Sequence, residues 1–444
     1  MTRDLRKQAL GLESGKKISR KARSKLESPS SSRGPSVTPS RNNSRVPSRS
    51  ASDDESELSD TTQWSVASID EMIMPADADE ELPEFWIGQL EDRINEICDR
   101  KRTSVQGRED SLSGFNTVIT KHYAQKEIKG KLSELLPALL KSVRGGQTER
   151  ETVLALKALA LVLITIPSES LYDAVSGPVK TSLMDAQHPA AKIAAIHALS
   201  VATFYGGASE EETENVMDFF LDIVSSDGAS VEEADNADVV TAALEEWGFL
   251  ATQLEDMEES TEVAMDVFVD QLESISVPVQ MAAGENIALL YEKSYTEAES
   301  DDELDGSDPD REASNGHTPA MIKRYTVYRQ QHQLAEKLGE LAKASSKRLS
   351  KKDRKQLHLT FSDILNTLEK PTRGPRYSTA LDPDGREYGS RLRVTVPGGT
   401  MKIDTWWKLH RLNALKRVLQ SGFMIHYEYN QVVFDTLPVM VEGD

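Results

Sequence analysis

The residues with the clearest potential for chemistry are six cations that fall within the nine positions 347–355. A cluster of this density suits a phosphate backbone, because each neutralised phosphate releases counterions. The same pattern is typical of a nuclear-import signal and of a solvated helix start, and the sequence leaves these three interpretations open. The six residues are Lys347, Arg348, Lys351, Lys352, Arg354 and Lys355.

A second candidate is the helix predicted to follow Asp404, over the sequence IDTWWKLHRLNALKRVLQSG. At about 100° per residue, Leu412, Leu415 and Leu419 gather into a buried seam. The opposite face carries two tryptophans beside cations, which could stack on bases or bind a partner. The alternative is that these aromatic rings pack beneath flanking β segments, since large aromatics are rarely left exposed. The residues on this face are Trp406, Trp407, His410 and Arg417.

Residues for catalysis are not evident. The P-loop, GxGxxG, GxSxG and HExxH motifs are all missing, and the eight histidines are scattered. Cys98 is the single cysteine, so neither an intramolecular disulfide nor a cysteine-based zinc site can form. Residues 301–312 partly match a calcium loop, but Glu303 is too long for its ligand position. We therefore expect a binding protein with no enzymatic activity, cofactor, metal or small-molecule substrate.

Charge is segregated along the chain, whose net charge is −21. Residues 1–50 hold 13 Lys and Arg against 3 acids, whereas residues 205–310 hold Lys293 alone against 31 acids. Residues 311–444 return to a net charge of +9. This asymmetry favours basic segments that contact an anionic partner and an acidic body that repels it.

The cellular compartment follows from what the chain lacks. No run of about 18 apolar residues occurs, so we expect no membrane-spanning helix. The N-terminal sequence MTRDLRKQALG has no apolar signal core, and the single cysteine suits a reducing compartment. These features predict a cytoplasmic protein, with the nucleus as a second location.

The elements that must position the candidate residues are helical. Between Pro83 and Tyr295 apolar residues recur at three- and four-residue spacing, interrupted by glycine and proline stop signals. Small-then-large pairs repeat in register at intervals of 40, 50 and 40 residues, close to the length of armadillo and HEAT units. A plain helical bundle is the alternative. The pairs are Ala158-Leu159, Ala198-Leu199, Gly248-Phe249 and Ala288-Leu289.

The predicted fold is an all-α, armadillo/HEAT-like helical-repeat solenoid with a small α+β C-terminal module and a disordered N-terminal arm. The arm, residues 1–82, is rich in Ser and Pro, basic at first and then acidic. Residues 83–345 form the solenoid, interrupted by an acidic disordered insertion at 296–318. Residues 346–444 form a basic linker and the C-terminal module, in which TFSDILNTLE predicts a short helix capped by Ser362 or Thr360.

The C-terminal sequence resembles that of the interferon-related developmental regulator family. The resemblance is carried by KKDRKQ, by F-x-D-I-L at Phe361–Leu365, and by the M-x-I-D-x-W helix that leads to an L-x-S-G turn. The upstream repeats are similar to the armadillo-like region of that family, so the resemblance spans roughly residues 83–444.

The resemblance implies a regulatory scaffold with one of two functions. One is binding to translationally inactive ribosomes, where a C-terminal segment occupies the space of tRNA or mRNA and translation is repressed. The other is transcriptional co-regulation in the nucleus through protein partners on the solenoid. We favour the ribosome, with rRNA facing residues 343–355 and the helix of Trp406. Residues 205–310 would then face solvent or basic ribosomal proteins.

Overall fold

The computed structural model describes residues 83–100, 103–298, 321–343, 351–383, 385, 387–396 and 399–438. All of them belong to the compact unit Glu55–Asp444. Three expectations concern segments outside the described residues, namely the disordered arm, the acidic insertion beyond residue 298 and the partial calcium loop.

The elements are numbered in chain order. The α-helices are α1 (Pro83–Cys98), α2 (Val105–Lys121), α3 (Gln125–Lys129), α4 (Leu132–Gly145), α5 (Glu149–Thr165), α6 (Leu171–Asp185), α7 (Pro189–Tyr205), α8 (Glu210–Ser225), α9 (Ala237–Ala251), α10 (Glu258–Gln271), α11 (Val277–Lys293), α12 (Gln331–Lys343), α13 (Lys351–Glu369), α14 (Trp406–Leu419), α15 (Phe423–Tyr429) and α16 (Gln431–Thr436). The strands are β1 (Tyr295–Glu297), β2 (Met321–Lys323), β3 (Tyr377–Leu381), β4 (Glu387–Ser390), β5 (Arg393–Val396) and β6 (Gly399–Lys402).

The solenoid consists of two rows of helices. In the inner row, α2, α5, α7, α9, α11 and α13 pack one after another. In the outer row, α1, α4, α6, α8, α10 and α12 each pack against the inner helix that follows. The four repeated sequence pairs lie on α5, α7, α9 and α11, and all are buried. The predicted helical-repeat solenoid is therefore confirmed, and the repeat marks its inner row.

The inner helices are apolar almost all the way round because both of their sides are covered. Helix α5 buries every residue from Ala158 to Thr165, and α7 buries every residue from Ala198 to Thr203. The outer row covers one side, and the C-terminal helices cover the other. A helix of this kind belongs inside a core, whereas a surface helix would alternate apolar and polar faces.

A short strand pair closes the base of the acidic insertion. Tyr295 pairs with Lys323, and Glu297 pairs with Met321, in antiparallel register. The backbone N–H of Arg324 also donates to the carbonyl of Ser294, at 2.8 Å. This pair is absent from the sequence expectations because its three-residue strands lack a buried face that would produce alternation.

The C-terminal module continues the solenoid and then folds back along it. Helices α12 and α13 pack as one further outer and inner pair, and α13 packs on α11. The predicted domain boundary at 345/346 falls between these two helices. Two antiparallel hairpins follow, β3–β4 and β5–β6.

The last three helices lie against the inner row. Helix α14 packs on α5, α9 and α11, and α16 packs on α5. Polar contacts fix this position: the His426 Nε2 donates to the Ile119 carbonyl at 2.8 Å, and the Asn430 amide donates to the Ile164 carbonyl at 3.0 Å. The side chains of the solenoid and of these helices form one continuous hydrophobic core.

Candidate functional site

The basic cluster lies at the start of a long helix. Helix α13 begins at Lys351, with Lys351 and Lys355 exposed and Arg354 partly buried. Lys347 and Arg348 lie outside the described residues, as does the side chain of Lys352.

The predicted short helix with a cap at Ser362 or Thr360 is wrong. The Ser362 hydroxyl instead donates to the His358 carbonyl at 2.7 Å, inside the helix. The longer helix forms because an apolar stripe continues N-terminal to the predicted start. Its members, spaced by four and three residues, are Leu357, Phe361, Ile364 and Leu368, and all are buried.

The first turn of α13 carries three cations, Lys351, Lys352 and Arg354, and one acid, Asp353, whereas the first turn of a helix usually favours acids. The N-terminus of a helix has a partial positive charge, so lysines there are unfavourable for the helix itself by a few tenths of a kcal/mol each. The backbone N–H groups of the first turn, which have no acceptor within the helix, and the Lys351 and Lys355 side chains add to a positive potential at this end. The arrangement favours a bound anion.

Helix α14 has a different role from the one expected, because two of its four candidate residues are buried. Trp406 is 1% exposed, and its indole N–H donates to the Thr367 hydroxyl at 2.8 Å. His410 is 6% exposed, and burial lowers its pKa to about 4, which keeps the ring neutral near pH 7. Both side chains are too buried to contact a partner, because α14 has buried residues on this face as well as along its leucine seam.

The other two candidates on α14 differ in their surroundings. The Arg417 guanidinium forms ion pairs within the protein, with Glu246 at 2.7 Å and with Glu245 at 3.2 Å. Trp407 is partly exposed, with Lys408 and Arg411 near its ring at 5.6 and 5.0 Å from the centroid. Of the four, Trp407 alone retains a surface suited to a partner.

The start of α14 is held by a partly buried carboxylate from α11. Glu292 accepts hydrogen bonds from the backbone N–H groups of Trp406 at 2.6 Å and Trp407 at 3.0 Å. It thereby supplies the cap that Thr405 does not provide with its own side chain. Burial outweighs these two bonds and raises the pKa of Glu292 to about 7.

A second cationic region, which the sequence analysis does not single out, lies on the hairpins. Arg391 and Arg393 are exposed, and the guanidinium of Arg391 lies 5.2 Å from the centroid of the Tyr388 ring, which is itself 54% exposed. The signal was available: in RLRVTV, β5 buries Val394 and Val396 while its alternate residues face outward. Exposed arginine beside an exposed aromatic ring suits stacking on nucleobases.

The two cationic regions lie at opposite ends of α13. The Thr367 hydroxyl, near the end of α13, donates to the Arg373 carbonyl at 2.6 Å, and Arg373 pairs with Glu387 of β4 at 3.4 Å. The hairpins therefore adjoin the C-terminal end of a helix of 19 residues, which is about 28 Å long. Two cationic regions separated by about this distance suit a polyanion rather than a single phosphate group.

Neither a membrane-spanning helix nor a metal-binding cluster occurs among the described residues. No helix in these ranges is both long and apolar enough to span a membrane. In the same ranges, no three His, Cys, Asp or Glu side chains are grouped so that they could hold a metal ion.

The packing of the helices defines a helical-repeat protein with a docked C-terminal module. More particularly, the chain belongs to the interferon-related developmental regulator (IFRD) family, whose family model matches residues 48–369. An uncharacterized protein of Schizosaccharomyces pombe (strain 972 / ATCC 24843) is 28% identical over 345 residues, covering 77% of this chain and 72% of its own length.

The matched range differs from the range of the resemblance seen in the sequence. It begins at residue 48, inside the N-terminal arm, and ends at residue 369, which is the last residue of α13. The basic start of α13 and the Phe361–Leu365 motif lie inside it. The hairpins and α14 lie beyond it.

Proposed function

We propose that this protein is a non-enzymatic regulatory scaffold that binds translationally inactive ribosomes through its basic C-terminal region and represses translation. The observation that carries the proposal is the exposed cationic surface at both ends of α13, with Lys351 and Lys355 at one end and Arg391 and Arg393 at the other. Membership of the IFRD family supports a regulatory helical protein.

Electrostatics would orient the protein on RNA. Residues 205–298 contain 24 Asp and Glu residues and Lys293 as their single cation, so this half of the solenoid is repelled by phosphate. Residues 311–444 carry a net charge of +9. The C-terminal module would therefore face rRNA, and the acidic half would face away from it.

The residues assigned to this contact change from those expected. Lys351, Arg354 and Lys355 remain, and Trp407 remains as a partly exposed ring. Arg391 and Arg393 join them. Trp406, His410 and Arg417 act indirectly, because their contacts hold α14 against the inner row.

The test is cosedimentation of the full chain with purified vacant ribosomes over a range of salt concentrations. The variant Lys351→Glu, Lys355→Glu, Arg391→Glu, Arg393→Glu reverses four exposed cations without touching a buried contact. If all four cations contact phosphates, the slope of log K against log salt should fall by about 3. Repression of a cell-free translation reaction should be lost in parallel.

The matched control reverses four exposed cations on α2, α3 and α4. It combines Lys121→Glu, Lys129→Glu, Lys141→Glu and Arg144→Glu. Wild-type behaviour of this control, with loss in the first variant, would support the C-terminal surface. Unchanged ribosome binding by the first variant, or equal loss in both, would contradict it. Absence of any cosedimentation, together with nuclear staining, would favour the transcriptional scaffold instead.

A further inference from the structure

The outer edge of the acidic half contains a groove of about 880 Å³. It lies between the α8–α9 loop and the α10–α11 loop, so it joins two neighbouring repeats. Its apolar lining includes Val240 and Val279, which begin the inner helices α9 and α11, and Val267 of α10. A groove of this size with apolar walls can hold a few side chains of a bound segment.

An exposed aliphatic side chain lies at the rim of this groove. Ile275 is fully exposed, and it lies in the α10–α11 loop among the residues that line the groove. A single exposed isoleucine is unremarkable in isolation. Here it extends the apolar lining of the groove outward. An aliphatic side chain of a partner could contact Ile275 and the partly exposed Val267, whereas Val240 and Val279 are buried at the floor.

The polar part of the rim is acidic. Asp227, Asp235 and Asp270 are exposed and line the groove, and among the described residues no Lys or Arg forms an ion pair with them. Glu273 also lines it but is already paired with Lys337 at 2.8 Å. The three aspartates therefore present negative charge that the described part of the chain does not neutralise.

Two of the three aspartates, Asp227 and Asp235, are held in place by the fold. Gln271 is buried, and its amide donates to the Asp227 carboxylate at 2.8 Å and to the Val224 carbonyl at 3.1 Å. The backbone N–H of Asp235 donates to the Asp227 carbonyl at 2.8 Å, which closes the loop. Their positions therefore need little reorganisation on binding, which reduces the entropic cost of complex formation.

We propose that this groove, lined by Val240, Val267, Val279 and Ile275 and rimmed by Asp227, Asp235 and Asp270, binds a basic, extended segment of a partner protein. The segment would carry Lys or Arg side chains for the aspartates and an aliphatic residue between them for the apolar floor. Charge excludes RNA from this surface, because the surrounding residues 205–298 include 24 acids. The groove would thus recruit a protein, independently of the proposed contact with ribosomes.

The probe is a fluorescein-labelled nine-residue peptide with lysines and arginines flanking one central leucine, measured by fluorescence anisotropy with the full chain. Two further peptides replace the leucine by serine or all cations by glutamate. We expect the first peptide to bind in the micromolar range at low salt, the serine peptide to bind several-fold more weakly, and the glutamate peptide not to bind. Equal binding of the leucine and serine peptides would overturn the apolar part of the proposal.

The groove variant is Asp227→Asn, Asp235→Asn, Asp270→Asn. Asparagine tolerates the positive φ of 50° at position 227 and 58° at position 235, so the loop should keep its conformation. Loss of three exposed charge pairs should weaken peptide binding about tenfold. The control Asp173→Asn, Asp218→Asn, Asp266→Asn removes the same charge from exposed positions that do not line the groove. Equal weakening by the control would show diffuse attraction and overturn the site.

Discussion

The ion pair between Arg417 and Glu246 gives the sharpest test of how the C-terminal helices are held. Glu246 lies on α9 with its side chain 3% exposed, and Arg417 on α14 contacts it at 2.7 Å. His197 on α7 adds a contact at 2.7 Å, so one carboxylate joins three helices. Replacing Arg417 by methionine keeps an apolar side chain of similar length in place and removes the charge.

The expected loss can be worked out from the pKa of Glu246. Burial alone would raise this pKa, but Arg417 and then His197 outweigh it and lower the pKa from 4.5 to about 2. A shift of this size corresponds to roughly 3 kcal/mol of stability at pH 7. This contribution is present above pH 4.5 and is lost as pH falls toward 2. Without Arg417 the carboxylate would stay buried with His197 as its remaining partner, a change that typically costs about 3–5 kcal/mol.

The pH dependence separates this mechanism from lost packing. In Arg417→Met the pKa of Glu246 should rise, so the variant should be least stable relative to wild type near pH 7. The deficit should shrink toward pH 4, where Glu246 takes up a proton in the variant. A packing defect would give a deficit that does not change with pH.

The assay is hydrogen exchange of the α14 amides combined with urea unfolding at pH 7 and pH 4. Protection of α14 should fall about 100-fold at pH 7, the equivalent of about 3 kcal/mol. The control is Lys408→Met on the same helix, which breaks the more exposed pair with Asp404 and should cost at most about 1 kcal/mol. A deficit in Arg417→Met no larger than in the control, or one independent of pH, would refute the reasoning.

Two further predictions concern the same interface. In Gly248→Ala the added methyl group would clash with the His410 ring and the Asn286 side chain, so the free energy of unfolding should fall by about 1–3 kcal/mol. The control Gly88→Ala places its methyl group in open space and should not destabilise the protein by overpacking. Glu292→Gln should be as stable as wild type at pH 5 and more stable than wild type at pH 8. The pKa of Glu292 in the folded protein, about 7, lies above its ordinary value of 4.5, so wild type loses stability as pH rises from 4.5 to 7. The amide of the variant does not ionise and causes no such loss. Thermal unfolding at both pH values checks both variants, and a Glu292→Gln deficit that grows at pH 8 would show that the carboxylate acts as a charged cap.

The solenoid was predictable from sequence because its repeat lies in the core. The pairs from Ala158-Leu159 to Ala288-Leu289 are all buried in the inner helices, and close packing there favours a small residue beside a large one. Gly248 is the extreme case, because its neighbour His410 belongs to α14 and leaves no room for a side chain. The glycine in this repeat is therefore a consequence of the packing of α14 on α9, although the local sequence could not show that α14 is the neighbouring helix.

The candidate site was less predictable because exposure depends on tertiary contacts. The helical periodicity of α14 predicted the seam of Leu412, Leu415 and Leu419, but it left open whether the opposite face was a partner surface or packed beneath flanking β segments. In the fold that face meets other elements: Trp406 reaches Thr367 of α13, and His410 reaches α9. A helix packed on both sides cannot be recognised from periodicity when its second face is built from aromatic and charged residues with buried partners.

The position of α14–α16 decides where partners can bind. Helical-repeat proteins offer an extended surface along one row of helices, and binding there needs that row to be accessible. In this chain α14 and α16 pack on inner helices, and Trp406, His410 and Leu415 are buried in the interface. A partner that bound the inner row would have to displace α14–α16, which form part of the continuous hydrophobic core. It would also have to break the ion pair between Arg417 of α14 and the buried Glu246 of α9. The proposed contacts at the cationic regions of the C-terminal module and at the groove of the acidic half require no such displacement, so we expect that both can be occupied at the same time.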